Sequence, residues 1–209
     1  MKEVPFYPNT EDDLHCMQSV YASIIEYFQD EKLDWTELDQ LTGFQPGRTA
    51  WSVEALTKLV ARGFDIQMIE PFDYERFMHE GSEYLGKIYG DEEVEYALRN
   101  TNILENKPLI PTFLEVVKPE CRIATLDDID TMLDEGRLVS TILNARVLNK
   151  RTGYAGHAVL IFAKEGDEYI IHDPGLPPRP NLRVDVDLLM EARGGENSPH
   201  EVTGIKIST

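Results

Sequence analysis

Gly153-Tyr154-Ala155-Gly156-His157-Ala158-Val159-Leu160-Ile161-Phe162, followed by Tyr169-Ile170-Ile171-His172-Asp173-Pro174-Gly175, reads as two β-strands. Both are apolar, β-branched runs, and Lys164-Glu165-Gly166-Asp167-Glu168 between them is turn-rich, so the pair is a β-hairpin with Gly166 supplying the positive φ of the turn. Each strand carries an ionisable residue that an apolar run does not need, His157 near the start of the first and Asp173 at the end of the second. Side chains alternate faces along a strand. A three-residue loop, Glu165 to Asp167, therefore puts His157 and Asp173 on one face as diagonal neighbours, roughly 7 Å apart between α-carbons. A loop with an even number of residues puts them on opposite faces. A histidine beside a carboxylate is an oriented base, and it directs the search to a nucleophile elsewhere in the chain.

The candidate is Cys16. Leu14, Met17, Tyr21, Ile24 and Phe28 form an apolar stripe of helical period. The helix is expected to begin near Leu14 with Asp12 or Asp13 as N-cap. Cys16 then lies in the first turn, where unpaired N–H groups and the helix dipole favour a thiolate. The negative charges of Glu11, Asp12 and Asp13 oppose that effect. A lone helical cysteine is also commonly a small buried hydrophobe, so both readings stand.

The remaining pattern is helical first and β-rich second. Helices are expected at Trp35 to Leu41, Val53 to Val60 (stopped by Gly63), Tyr74 to about Leu85 and Asp91 to about Leu104, with a short strand at Phe64 to Ile69. Pro108 and Pro111 mark the change, with strands expected within Thr112 to Val117 and at Cys121 to Ala124. Thr125-Leu126-Asp127-Asp128 resembles a capping box opening a helix that Gly136 ends. Leu138 to Leu143 is a strand, Asp173 to Pro178 a rigid surface turn, and a strand near Leu182 to Val184, a helix near Asp187 to Ala192 and a strand Val202 to Ile207 close the chain. The fold class is α+β, with the cysteine helix of the first half packed on a mostly antiparallel sheet of the second. We read residues 1–209 as one domain, with a helical half (1–107) and a β-rich half (108–209).

Composition narrows the partners. With 38 Asp and Glu against 20 Lys and Arg, the formal net charge is −18. Such a chain repels phosphate backbones and anionic bilayers, so neither nucleic acid nor membrane is an expected partner. No apolar run approaches the ~18 residues of a membrane span. The N-terminus lacks a signal-peptide pattern, and two cysteines make no disulfide framework, so a cytoplasmic protein with reduced thiols is expected. Cys16, His157, His172 and Asp173 lack zinc-ligand spacing, so no metal or other cofactor is expected. His172 reads as a packed or rim residue, His79 and His200 as surface histidines, and Cys121 as a structural thiol in an apolar setting. Trp35 and Trp51 read as core or groove-wall residues.

A cysteine at a helix start, then a histidine and a carboxylate on adjacent strands, is the papain-like layout. The run Cys-helix, Thr-Leu-Asp-Asp-Ile, Leu-Val-Ser-Thr-Ile, Gly-His-Ala-Val-Leu-Ile and Ile-His-Asp-Pro-Gly resembles the papain-like peptidases that process double-glycine leader peptides of bacteriocins. It looks more like their stand-alone relatives than the transporter-fused ones. The resemblance implies Cys16 as nucleophile, His157 as general base and acid, Asp173 as orienting carboxylate, and a peptide or small amide as substrate. It departs at two positions. Met17 stands where the family has Gly, and Thr10 where it has the Gln whose amide serves the oxyanion. Asn9 is the nearest amide that can substitute, with the Cys16 backbone N–H as second donor. Three functions stay open: a cysteine peptidase or amidohydrolase working through an acyl-enzyme, an acyltransferase using the same thiol, and a non-catalytic peptide-binding module. The pair His15-Cys16 is what resembles papain-fold acyltransferases of aminoglycoside biosynthesis.

Overall fold

The computed structural model describes residues 2–194 and 199–208. The first 70 residues form α1 (Cys16–Gln29), α2 (Trp35–Thr42), α3 (Ser52–Ala61) and β1 (Phe64–Ile69). Five helices follow: α4 (Tyr74–Glu80), α5 (Ser82–Tyr89), α6 (Asp91–Asn100), α7 (Ile103–Asn106) and α8 (Ile110–Val116). The remainder comprises α9 (Leu126–Asp134), β2 (Leu138–Asn144), α10 (Ala145–Leu148), β3 (Gly156–Glu165), β4 (Glu168–Asp173), β5 (Arg179–Asp185), α11 (Val186–Arg193) and β6 (Val202–Ile207). The six strands make one antiparallel sheet in the order β1-β6-β2-β3-β4-β5.

Both faces of this sheet are covered, and the alternation of side chains divides the core in two. Leu138, Ala158, Leu160 and Ile205 face the helical layer of α1 to α5 and α8. Val139, Val159, Ile161, Tyr169 and Ile171 face α9 and α11. Two covered faces explain why Ala158 to Ile161 is an unbroken apolar run, since neither side of that stretch of β3 meets water.

The α+β architecture and most elements match the pattern of the sequence; several details do not. The segment expected to be a strand within Thr112 to Val117 is α8. Pro111 sits at its start, where a missing N–H costs nothing, and Ile110, Phe113 and Val117 form a buried helical stripe. The strand expected at Cys121 to Ala124 is absent; only Glu120 makes an isolated bridge to Ile69. Cys121 is exposed, not packed in an apolar setting. The expected helix from Tyr74 to Leu85 breaks into α4 and α5 at Gly81, whose φ of 61° no other residue type adopts as easily. α1 begins at Cys16 with His15 as N-cap, not at Leu14 with an aspartate cap. Asp12 instead accepts from the Leu14 N–H and Thr10 Oγ1, which leaves it outside the helix.

Glu70 and Glu201 follow the last β1–β6 pair, Ile69–Val202, and both are buried. Tyr74 Oη donates to Glu70 and Thr203 Oγ1 to Glu201. Burial drives both carboxyls upward, Glu201 to about 7 and Glu70 well above its ordinary value with the neighbouring Glu201 charge adding to the effect. A raised carboxyl binds its proton more tightly folded than unfolded, so its stabilising contribution is complete below pH ~4 and is lost as pH rises through 7. Thermal denaturation is expected to show a decline in stability between pH 4.5 and pH 7 from this site. Glu201→Gln should flatten that decline. An unchanged slope in the variant refutes the assignment.

Candidate active site

The hairpin reaches its geometry by a route the sequence did not reveal. Glu165 pairs with Glu168, so the turn has two residues, the even case that places His157 and Asp173 on opposite faces of a regular ladder. The register then shifts between Ile161 and Ala163, with Phe162 the extra residue of a β-bulge. One extra residue inverts the parity a second time and returns the two side chains to one face. His157 Nε2 lies 2.7 Å from Asp173 Oδ1, and both residues are buried. Phe162 packs its ring on His172, whose Nε2 bonds the Val4 carbonyl and whose Nδ1 accepts the Asn181 N–H. His172 is thus fully committed to packing on the other side of the strand.

Asp173 is held from three directions. It accepts from His157, from the Gly175 N–H at 2.9 Å, and from Arg179, whose Nε lies 2.9 Å from Oδ2. A side chain on Gly175 would begin 3.0 Å from Asp173 Oδ1 and 3.1 Å from His157 Nε2, so glycine lets the turn close over the pair. Burial alone raises the Asp173 carboxyl, but the bonds from His157, Gly175 and Arg179 outweigh it and bring it to about 2. Sequence reading missed both Arg179 and Gly175. The only signal was their place in the turn after Asp173, Gly175 within Pro174 to Pro178 and Arg179 directly after it.

With Nε2 taken by Asp173, Nδ1 is the imidazole atom left for Cys16. This half-buried cysteine lines one cavity with His157, and α1 packs on β3 to bring the two together. Burial opposes the thiolate. The His157 bond and charge, with the Ala158 N–H, reverse that and bring the Cys16 thiol below its ordinary value. Burial likewise opposes the imidazolium, and the bonds to Asp173 and Cys16 raise His157 to about 10. The two shifts act in the same sense, each favouring the charged form of its group.

Asn9 is at the site. Its Oδ1 accepts from the His15 and Thr10 N–H groups at 2.8 and 2.9 Å, and its Nδ2 donates to Asp13 Oδ1 at 2.8 Å. Its own N–H donates to the Pro174 carbonyl at 2.8 Å. That bond ties the loop before the cysteine to the turn after the aspartate. Thr10 points elsewhere, with Oγ1 2.7 Å from His15 Nδ1. His15 is buried between Trp35 and Phe44 with Nε2 3.2 Å from Asp39, so it anchors the helix start and does not enter the cleft. Trp51 stacks on Tyr74 within an aromatic cluster with Phe72 and Phe77, a core position.

Two cavities meet at His157. One, of about 160 Å³, is lined by Cys16, Leu14, Met17, Ala50 and Ile142. Met17 therefore forms part of its wall. The other, of about 190 Å³, is lined by Asp13, Arg146, Arg151, Asp173 and Arg179. Among the described residues no group of three or more His, Cys, Asp or Glu could hold a metal ion, and no helix is long and apolar enough to cross a membrane.

A cysteine helix packed on an antiparallel sheet, with His and Asp on a central hairpin, defines the papain-like fold. Among solved structures, the chain matches the peptidase domain of Streptococcus ComA, a bi-functional ABC transporter involved in a quorum sensing pathway. The match covers 99% of this chain and 100% of that one, with a TM-score of 0.55 and 8% sequence identity. The shared feature is the fold. No family model and no curated protein matches the sequence.

Proposed function

We propose that residues 1–209 form a single papain-like domain that hydrolyses a peptide or other amide through an acyl-enzyme on Cys16. The observation that carries this reading is the His157–Asp173 hydrogen bond of 2.7 Å beside the cavity that Cys16 and His157 line together, with the thiol lowered and the imidazole raised. The Cys16 thiolate attacks the carbonyl carbon and forms the C–S bond. His157 gives its Nδ1 proton to the departing nitrogen as the C–N bond breaks, and then takes a proton from the water that hydrolyses the thioester. Asp173 fixes the ring and balances its charge. The Cys16 N–H and the second hydrogen of Asn9 Nδ2 are the candidate oxyanion donors, a pair whose loss would cost ~10²–10³ in rate per donor. The cytoplasm, with its reduced thiols, is the compartment that suits such a site.

Alkylation with iodoacetamide from pH 5 to 9, mapped by mass spectrometry, tests the reading. Cys121 is an exposed thiol raised by its surroundings, so it serves as the internal reference. Rapid labelling of Cys16 at pH 6, where Cys121 is nearly inert, is the expected result. Equal rates for the two cysteines at pH 6 would mean that Cys16 is not activated, leaving a peptide-binding module.

A further inference from the structure

The larger of the two cavities is a local exception to the charge of the chain. Arg146, Arg151 and Arg179 converge on it in a molecule with 38 acidic and 20 basic residues. Arg179 is committed to Asp173. Arg146 on α10 and Arg151 just beyond it are different. Neither guanidinium makes an ion pair or hydrogen bond with any described residue, and both are exposed at the cavity rim. The two carboxylates in the wall are already engaged, Asp173 by His157 and Arg179, and Asp13 by Asn9. The cavity thus presents two uncommitted guanidinium groups, the type of group that recognises a planar carboxylate by paired N–H bonds.

The chemistry of the proposed reaction assigns the two cavities to the two halves of a substrate, and the argument rests on that reading of the site. The acyl half becomes bonded to Cys16 Sγ, so it occupies the cavity that Cys16 lines, walled by Leu14, Met17, Ala50 and Ile142. The amine half is the part that His157 protonates. It occupies the cavity that His157 lines and Cys16 does not. At about 190 Å³, that space is smaller than the ~300–1,000 Å³ of a drug-sized site and suits a unit no larger than an amino acid.

We propose that Arg146 and Arg151 bind a carboxylate on the amine half of the substrate, so that the bond processed at Cys16 joins an apolar acyl group to an amino acid-sized amine bearing a negative charge. The carboxylate is that of the α-carbon or of an acidic side chain, and the chemistry of recognition is the same. Specificity is then divided across the bond, apolar on the acyl side and anionic on the amine side. Because the arginines are exposed, the preference weakens as salt rises.

The test loads the enzyme without knowledge of its natural substrate. p-Nitrophenyl acetate acetylates Cys16 as the thiolate attacks the ester and p-nitrophenolate leaves, with the Cys16→Ala variant subtracted as background. An added amine then attacks the thioester; the C–N bond forms, the C–S bond breaks, and the amine proton passes to His157. Three acceptors are compared by product ratio, corrected for the fraction of free amine: glycine, aspartic acid α-amide and glycinamide. The expected result is that a carboxylate-bearing acceptor exceeds glycinamide by about tenfold, and that Arg146→Gln with Arg151→Gln removes the excess. Preference for glycine assigns an α-carboxylate, and preference for the α-amide of aspartate assigns a side-chain carboxylate. A burst on Cys16 with no preference, or with a preference that survives the double substitution, overturns the anion site and leaves the catalytic reading standing. Absence of any Cys16-dependent burst overturns both.

Discussion

Replacing His157 by Ala is expected to slow alkylation of Cys16 at pH 6 by between about tenfold and about 300-fold, the upper limit being set by a thiol returned to a pKa of ~8.5, which is only ~0.3% ionised there. In the native protein the imidazolium supplies both the hydrogen bond and the positive charge that offset burial of the thiolate. Removing the ring leaves burial and the negative charge of Asp13, which push the thiol up, opposed only by the Ala158 N–H. The variant should therefore give a single sigmoid with its midpoint at or above the ordinary thiol range. The native profile should begin lower and change again near pH 10, where His157 loses its proton. Turnover of any amide should disappear with the ring, since in the proposed reaction His157 is the group that passes a proton to the leaving nitrogen. A fall of less than about tenfold at pH 6 would show that the thiol is activated by the helix N-terminus and not by His157.

Asp173→Asn is expected to lower both turnover and stability, and the two losses have different causes. The carboxylate accepts from His157, Gly175 and Arg179 at once. An amide of the same shape must turn its NH2 toward one of these donors, so one charge-assisted bond becomes a donor–donor contact. If His157 loses its partner, its tautomer and direction are no longer fixed, and kcat can fall by up to ~10⁴-fold. For stability, the carboxyl is depressed to about 2 in the folded protein against ~3.9 unfolded, which corresponds to about 2–3 kcal/mol at pH 7. For a chain of this length that is a drop in Tm of roughly 5–10 °C. The sign follows from the depression. The contribution is complete above pH ~4 and is lost as pH falls through 2, so native and variant proteins should converge in stability toward pH 2. Equal melting temperatures at pH 7 would mean that the carboxylate does not hold the turn.

The elements that follow from local chemistry were legible in the chain. The Thr125 capping box forms with both of its reciprocal bonds, and β2, β3, β4 and β6 lie on their apolar runs. The apolar stripe of α1 is buried from Met17 to Ile25 with Cys16 as its first residue. What misled was the segment from Pro108 to Ala124. Proline there suggested an end to helix, whereas at the first turn it is compatible with one, and a four-residue apolar run has no period long enough to separate strand from helix.

The sequence by itself determined the candidate side chains of the proposed site: a cysteine opening an amphipathic helix, and a histidine and an aspartate on the strands of one hairpin. Each of those placements is a matter of local periodicity. Whether the three meet was decided only by the tertiary structure. The two-residue turn alone would have separated His157 from Asp173, and the bulge at Phe162, packed on buried His172, restored them to one face. Arg179 and Gly175 reach Asp173 across a folded turn, Asn9 reaches Pro174 from the far end of the chain, and Arg146 and Arg151 acquire a common cavity only once α10 lies beside that turn. Register, bulges and charges brought together from distant segments depend on packing between elements, and no window of sequence contains that information.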